Sequence, residues 1–422
     1  MSLLRVNPGN AWRMDLYMPF AIIYFFFNSV FLPLGLLYTT VLAPLFYFWL
    51  LRQGQRWVAA KFLLLSAPFM VIQFRNGVET TPYIVSLALT MAVYFGAYTF
   101  YVFVNWTERL EEFIQWMVVI NFALTCIGMI LYFTPWEEAM WRPAEAFVGK
   151  AVVSRFQMFT YEPSYYCQVI APLILWSFFK FARRTEPRTL ALFLMTLIPL
   201  LMSYSFGVIL ALVLAIAGVH AWHWRHVLKR YYMVVGAPLT AVVSVYILLG
   251  SNTFAARMQS FLAGNDSSGM ARTVVAWVLA YYIALQKSLL FGVGYGQIKI
   301  LGAVLTDRFI GSDQGRLPCA VAETLAQFGF IGLALRLGFQ VYCFYKTQVW
   351  KNYFRLSLFM FMFVYQFTGS YLTNLPEYLT WILAFSPVFP EFAVESSRDR
   401  VMAWFVPRMR LQPPAIAPEP LH

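Results

Sequence analysis

Charge is scarce in this 422-residue chain: only 12% of its residues are Asp, Glu, Lys or Arg, about half the share of an ordinary water-soluble domain. Acidic residues are scarcer still, 19 against 31 Lys and Arg. Histidine and cysteine occur four times each. So few cysteines exclude a disulfide framework. Cys126, Cys167 and Cys343 lie in apolar runs and read as buried thiols, and a bridge between Cys167 and Cys319 is the minority reading. His220, His223 and His226 cluster, but the third lies about 240° round a helix from the first, so they make a poor metal site. No metal or other cofactor is expected.

What fills the chain instead is apolar: 60% hydrophobic residues, with 41 Phe, 25 Tyr and 14 Trp. The apolar segments are long and continuous, not short alternating strands, which excludes a β-barrel. The composition predicts an all-α integral membrane protein, a single polytopic domain over residues 1–422. Candidate spans are 17–32, 34–51, 62–74, 82–104, 113–133, 165–181, 189–203, 206–219, 231–249, 319–345, 356–373 and 377–393, which makes about twelve transmembrane helices. The run from Tyr17 to Leu51 is too long for a signal-peptide core and is expected to stay as two helices turning at Pro33. Ser203-Tyr204-Ser205 offers a second such turn.

With both termini cytoplasmic, about two thirds of the 31 basic residues fall on the cytoplasmic side. The positive balance is therefore mostly a topology signal and gives no reason to invoke a nucleic-acid partner. Two outer segments stand apart, 134–164 and a larger one, 250–318; long loops in compact membrane proteins usually carry function. Within the larger, Thr273 to Leu285 reads as a helix lying at the membrane surface, ended before Gly292-Val293-Gly294-Tyr295-Gly296. The sequon Asn265-Asp266-Ser267 is too short a pattern to weigh.

Three places combine charge with an outer position. Arg155 and Glu162 flank the mouth of the sixth span, where Pro163 suits a first helical turn; Glu162 is read either as a site residue or as a complement to the helix dipole. Arg272 opens the surface helix with Lys287 and the glycines after it, and is read either as an anion holder or as a snorkelling side chain. Glu323 and Arg336 lie in the tenth span, about 20 Å apart along a straight helix, with Arg336 read first as a structural counter-ion. No histidine is expected on the outer face, so a general base there must be a carboxylate: Glu162, Glu323 or, third, Glu377.

The order of these pieces resembles the bacterial O-antigen polymerase and ligase superfamily, the Wzy-type polysaccharide polymerases and related O-antigen ligases. The likeness is carried by Arg155 to Tyr166 with its Glu162-Pro163-Ser164, by Ser203-Tyr204-Ser205, by Arg272, Trp277 and Phe291 to Gly296, and by Glu323 to Gly332. It covers roughly residues 150–335. The resemblance implies a metal-independent, inverting glycosyltransferase of exopolysaccharide or O-antigen biosynthesis in the bacterial inner membrane. Its donor would be an undecaprenyl-diphosphate-linked oligosaccharide transferred to an acceptor hydroxyl, and its further partners the growing glycan chain, a chain-length regulator and a flippase. Arg155, Arg272, Lys287 and Gly294 are then expected to hold the diphosphate, with Glu323, Glu162 and Arg272 catalytic. Where the ligases carry a histidine before the glycine matching Gly329, this chain has Pro318, which favours a polymerase over a ligase. The rival from another class is a polytopic transporter of the lipid-linked glycan; no internal repeat supports it.

Overall fold

The computed structural model describes Tyr24 and residues 38–107, 109–143, 154–222, 270–310 and 317–394. The expected spans 17–32 (Tyr24 apart) and 231–249, the sequon, His223, His226 and both termini lie outside the described residues. What is described is mostly helical, as the apolar runs require, since a backbone in lipid must satisfy its own hydrogen bonds. The helices are α1 (Tyr38–Arg52), α2 (Val58–Arg75), α3 (Thr80–Trp106), α4 (Leu110–Leu131), α5 (Pro163–Arg183), α6 (Pro187–Met202) and α7 (Phe206–Trp222). After these come α8 (Ala276–Leu285), α9 (Ile298–Ile310), α10 (Ala320–Lys346), α11 (Tyr353–Tyr365) and α12 (Leu375–Phe385). Five of them, α2, α3, α4, α5 and α10, are long and apolar enough to cross a membrane.

Helix α5 is the axis of the bundle: every residue from Pro163 to Phe179 is buried. Pro163 opens it and Pro187 opens α6, both at first-turn positions where a missing N–H costs nothing. Helices α6 and α7 turn at Ser203 to Ser205, where Tyr204 takes a positive φ of 49°, so the predicted turn is present. Helix α7 lies along α11, α1 along α3, and α12 touches both α3 and α11. Ion pairs join Lys180, at the far end of α5, to Glu111 at 2.7 Å and Glu391 at 3.1 Å. The end of α5, the start of α4 and the segment after α12 therefore meet at one end of the bundle, away from Pro163.

Three expectations are corrected. The 134–164 segment is not wholly irregular: β1 (Trp141–Pro143) pairs antiparallel with β2 (Ser154–Phe156), Arg142 opposite Arg155. These strands are too short to leave a period-two pattern. The 250–318 segment carries α8 and α9, where helices are expected. Span 319–345 is broken at Gly329, whose φ of 66° and ψ of −167° no helix holds. Spans 356–373 and 377–393 shrink to α11 and α12, which rise only about 20 and 16 Å against a hydrocarbon core of about 30 Å. Residues 366–374 between them are irregular backbone, with Ser370 at φ 67° and Asn374 and Pro376 setting the restart.

The break in α10 is built with the glycine-rich turn. A Cβ on Gly329 would lie 2.3 Å from the Leu290 carbonyl, and one on Gly292 the same distance from Gln327. At this close approach Val293 N donates to Ala326 O (2.9 Å), Gly294 N to Gln327 O (3.1 Å) and Phe330 N to Leu289 O (3.0 Å). Gln73 Nε2 reaches the Phe291 and Gln327 carbonyls at 3.1 and 3.0 Å, and its own oxygen accepts from Tyr83 Oη at 2.8 Å. The groups freed by the break are thus satisfied inside the protein.

Candidate active site

Glu162 precedes α5 with extended backbone, so its side chain stands at the helix mouth. Arg272 reaches it from a π-helical turn, Ala271–Val275, that leads into α8: Nη2 lies 2.9 Å from Glu162 Oε1. A π turn re-aims the side chains of a helix and recurs at functional sites. Ser164 Oγ donates to the same carboxylate oxygen. Burial alone would raise the Glu162 carboxyl, but Arg272, the Ser164 hydroxyl and Arg155 outweigh it and hold it below its ordinary range. Glu162 is therefore ionised at neutral pH and a weak base, better suited to steering Arg272 than to taking a proton.

Arg155 projects from β2 toward the α6–α7 turn, where its Nε donates to the Ser203 carbonyl at 3.1 Å. Arg142, opposite on β1, donates from Nη1 to the Tyr161 carbonyl at 3.1 Å. Two arginines face to face on a hairpin repel unless an anion lies between or beside them. Glu162 lies within electrostatic reach of both Arg272 and Arg155, and Arg142 donates to the carbonyl of the residue before it. The Tyr161 ring packs against Tyr165, centroids 4.8 Å apart and planes tilted by 49°, and Tyr365 and Tyr371 lie within electrostatic reach of Arg272. The result is a cluster of cationic side chains with tyrosine neighbours at the mouth of α5, a chemistry suited to a phosphate-bearing group.

The carboxylate of Glu323, on the first half of α10, accepts from the Leu372 amide at 2.8 Å. Leu372 follows Tyr371, so one linker, residues 366–374, borders both Arg272 and Glu323. Arg336 does not pair with Glu323, as expected, but the straight-helix distance behind that expectation fails. The break at Gly329 folds the second half of α10 back, so that Arg336 Nη1 reaches Thr324 Oγ1 at 3.2 Å. Arg336 pairs with Glu377.

The other expected site residues lie elsewhere. Lys287 donates to the Gly77 carbonyl, at the far end of the helical stretch from Arg272, roughly 20 Å along it at 1.5 Å per residue. Gly294 is buried, its amide committed to Gln327 and its Cα against Tyr83 and Gln73, so the glycines serve the α10 break. All four cysteines are free thiols. His220 lies in α7, and among the described residues no group of three or more His, Cys, Asp or Glu gathers to hold a metal. Arg142, Tyr365 and Tyr371 escaped the sequence reading because nothing local marks them; the hairpin register brings in the first, and the end of α11 and the linker bring in the other two. No protein-family model matches the chain, and no curated protein matches its sequence.

Proposed function

We propose that this protein is a membrane glycosyltransferase of the bacterial inner membrane that polymerises undecaprenyl-diphosphate-linked oligosaccharide repeat units on the outer face. The observation that carries the reading is the meeting of Arg155 and Arg272 at Glu162, with Arg142 across the hairpin. The two arginines of the resemblance come from segments more than a hundred residues apart, and a diphosphate is the dianionic-to-trianionic partner such a cluster suits.

In this reading Arg272 and Arg155 stabilise the charge that develops on the leaving diphosphate as the acceptor hydroxyl attacks the anomeric carbon from the opposite face. The bond to the diphosphate breaks, the new glycosidic bond forms with inversion, and the hydroxyl proton passes to Glu323, whose carboxylate accepts from the Leu372 amide in the linker that borders Arg272. The test is direct. Arg272→Ala and Arg155→Ala are expected to abolish polymer and to accumulate the lipid-linked repeat unit in cells; unchanged polymer length and yield in both would refute the diphosphate assignment.

A transport reading draws on a separate observation, the interrupted α10 and the irregular linker between α11 and α12, since broken helices mark many transporters. Reconstituted vesicles separate the two. Polymer formed from donor already on the outer face supports the transferase, whereas movement of donor between leaflets without polymer supports the transporter. A ligase would share the donor site and differ in the acceptor it consumes.

A further inference from the structure

The Arg336–Glu377 pair lies apart from the Glu162 cluster and is the most deeply buried ion pair among the described residues, with side chains 13% and 1% exposed. Charges this deep in an apolar bundle are expensive to desolvate, and an apolar contact would tie α10 to α12 at less cost. What the pair does that an apolar contact cannot is organise residues 366–374. Glu377 Oε2 accepts from Ser370 Oγ at 2.6 Å, and Ser370 accepts in turn from Gln168 Nε2 (3.3 Å) and Asn374 Nδ2 (3.0 Å). Arg336 Nε donates to Gln366 Oε1 at 3.2 Å, where the linker begins. The amides of Gln366 and Gln340 pair both ways at 2.9 Å.

The linker needs such fixing. Ser370 stands at φ 67°, a conformation an L residue keeps only when its surroundings impose it. Two residues on, the Leu372 amide holds Glu323, while the Leu372 carbonyl accepts from Tyr378 Oη at 2.7 Å. Between them Tyr371 borders Arg272. The chain of contacts therefore runs from the ion pair through Ser370 to the Leu372 amide that donates to Glu323.

We infer that Arg336, Glu377 and Ser370 are positioning residues that lock the 366–374 linker so that its Leu372 amide orients Glu323, the base of the reaction proposed above, on which this inference rests. They touch neither donor nor acceptor. They set the turnover step without contributing to donor binding.

The experiment uses full-length protein in membrane vesicles supplied with the lipid-linked repeat unit. Ser370→Ala removes one hydroxyl and leaves the ion pair intact; Glu377→Gln is the second variant. The expected result is a fall in kcat of at least tenfold for Ser370→Ala, with donor KM within twofold of wild type and an unchanged melting temperature. Wild-type kcat in Ser370→Ala overturns the inference, as does a loss of kcat that comes only with parallel loss of donor affinity and thermal stability in both variants. A wild-type protein that consumes no donor overturns the proposed reaction and this inference together; a working wild type with an indifferent Ser370→Ala overturns this inference alone.

Discussion

At the scale of single residues, the Glu162–Arg272 contact is the most informative pair in the molecule. Because the folded carboxyl sits below its ordinary value, the pair stabilises the fold above the unfolded carboxylate pKa of about 4.3, and that contribution fades as pH falls through the lower folded value. Glu162→Gln is therefore expected to cost about 1–3 kcal/mol at pH 7, where it leaves Arg272 without its anion. The difference from wild type should shrink on acidification below about pH 4. Thermal unfolding of the detergent-solubilised protein at pH 7 and pH 3.5 measures both. Glu323→Gln should behave oppositely, with polymerisation lost and the pH 7 melting temperature little changed. If instead Glu323→Gln kept full activity and Glu162→Gln lost it, the base would be Glu162. Inorganic pyrophosphate gives a binding test free of turnover: it should raise the melting temperature of wild type through mass action and fail to do so in Arg272→Ala.

Among the elements, α10 and the α11–α12 linker depart furthest from regular helices. The break at Gly329 lets residues five before and seven after it meet at Thr324 and Arg336, which a continuous helix would hold about 18 Å apart. Gly329→Ala combines a positive φ with a Cβ pressed on the Leu290 carbonyl. It should destabilise the protein by about 2–4 kcal/mol, summing backbone strain and the displacement of packed backbone. Gln73→Leu tests the same joint from α2 without touching a glycine. It takes the Gln73 donor from the Phe291 carbonyl, leaves the Gln327 carbonyl only the Gly294 amide, and should lower the melting temperature, with donor KM unaffected if the joint is scaffold only.

For the whole molecule, the two ends of the bundle carry the topology. Glu138 is exposed at the end bearing the Glu162 site, and Glu186 is exposed at the end bearing Lys180. In a chain cleared of its four cysteines, Glu138→Cys should react with a membrane-impermeant maleimide on intact cells, and Glu186→Cys only after permeabilisation. The reverse pattern would put the arginine cluster on the side where nucleotide donors live and would remove the reason for a lipid-diphosphate substrate.

The sequence by itself determined the helical, membrane-suited character of the chain. It located most of the helix positions that are described, from α1 through α7, because long apolar runs bounded by Pro163, Pro187 and the Ser203–Ser205 turn allow little else. It also singled out Arg155, Glu162, Arg272 and Glu323, because charge is so rare here that each outer charged group stands out. Tertiary structure alone decided which of them meet. Register across a three-residue hairpin brought Arg142 opposite Arg155, and a π turn aimed Arg272 at Glu162. The close approach of Gly329 to the Leu290 backbone and of Gly292 to the Gln327 backbone marks the break in α10, and the Gly294 amide is committed to Gln327. Short helices α11 and α12 left a buried linker where hydropathy suggested two full spans. Each of these rests on contacts between segments distant along the chain, and local apolar periodicity holds no record of such contacts.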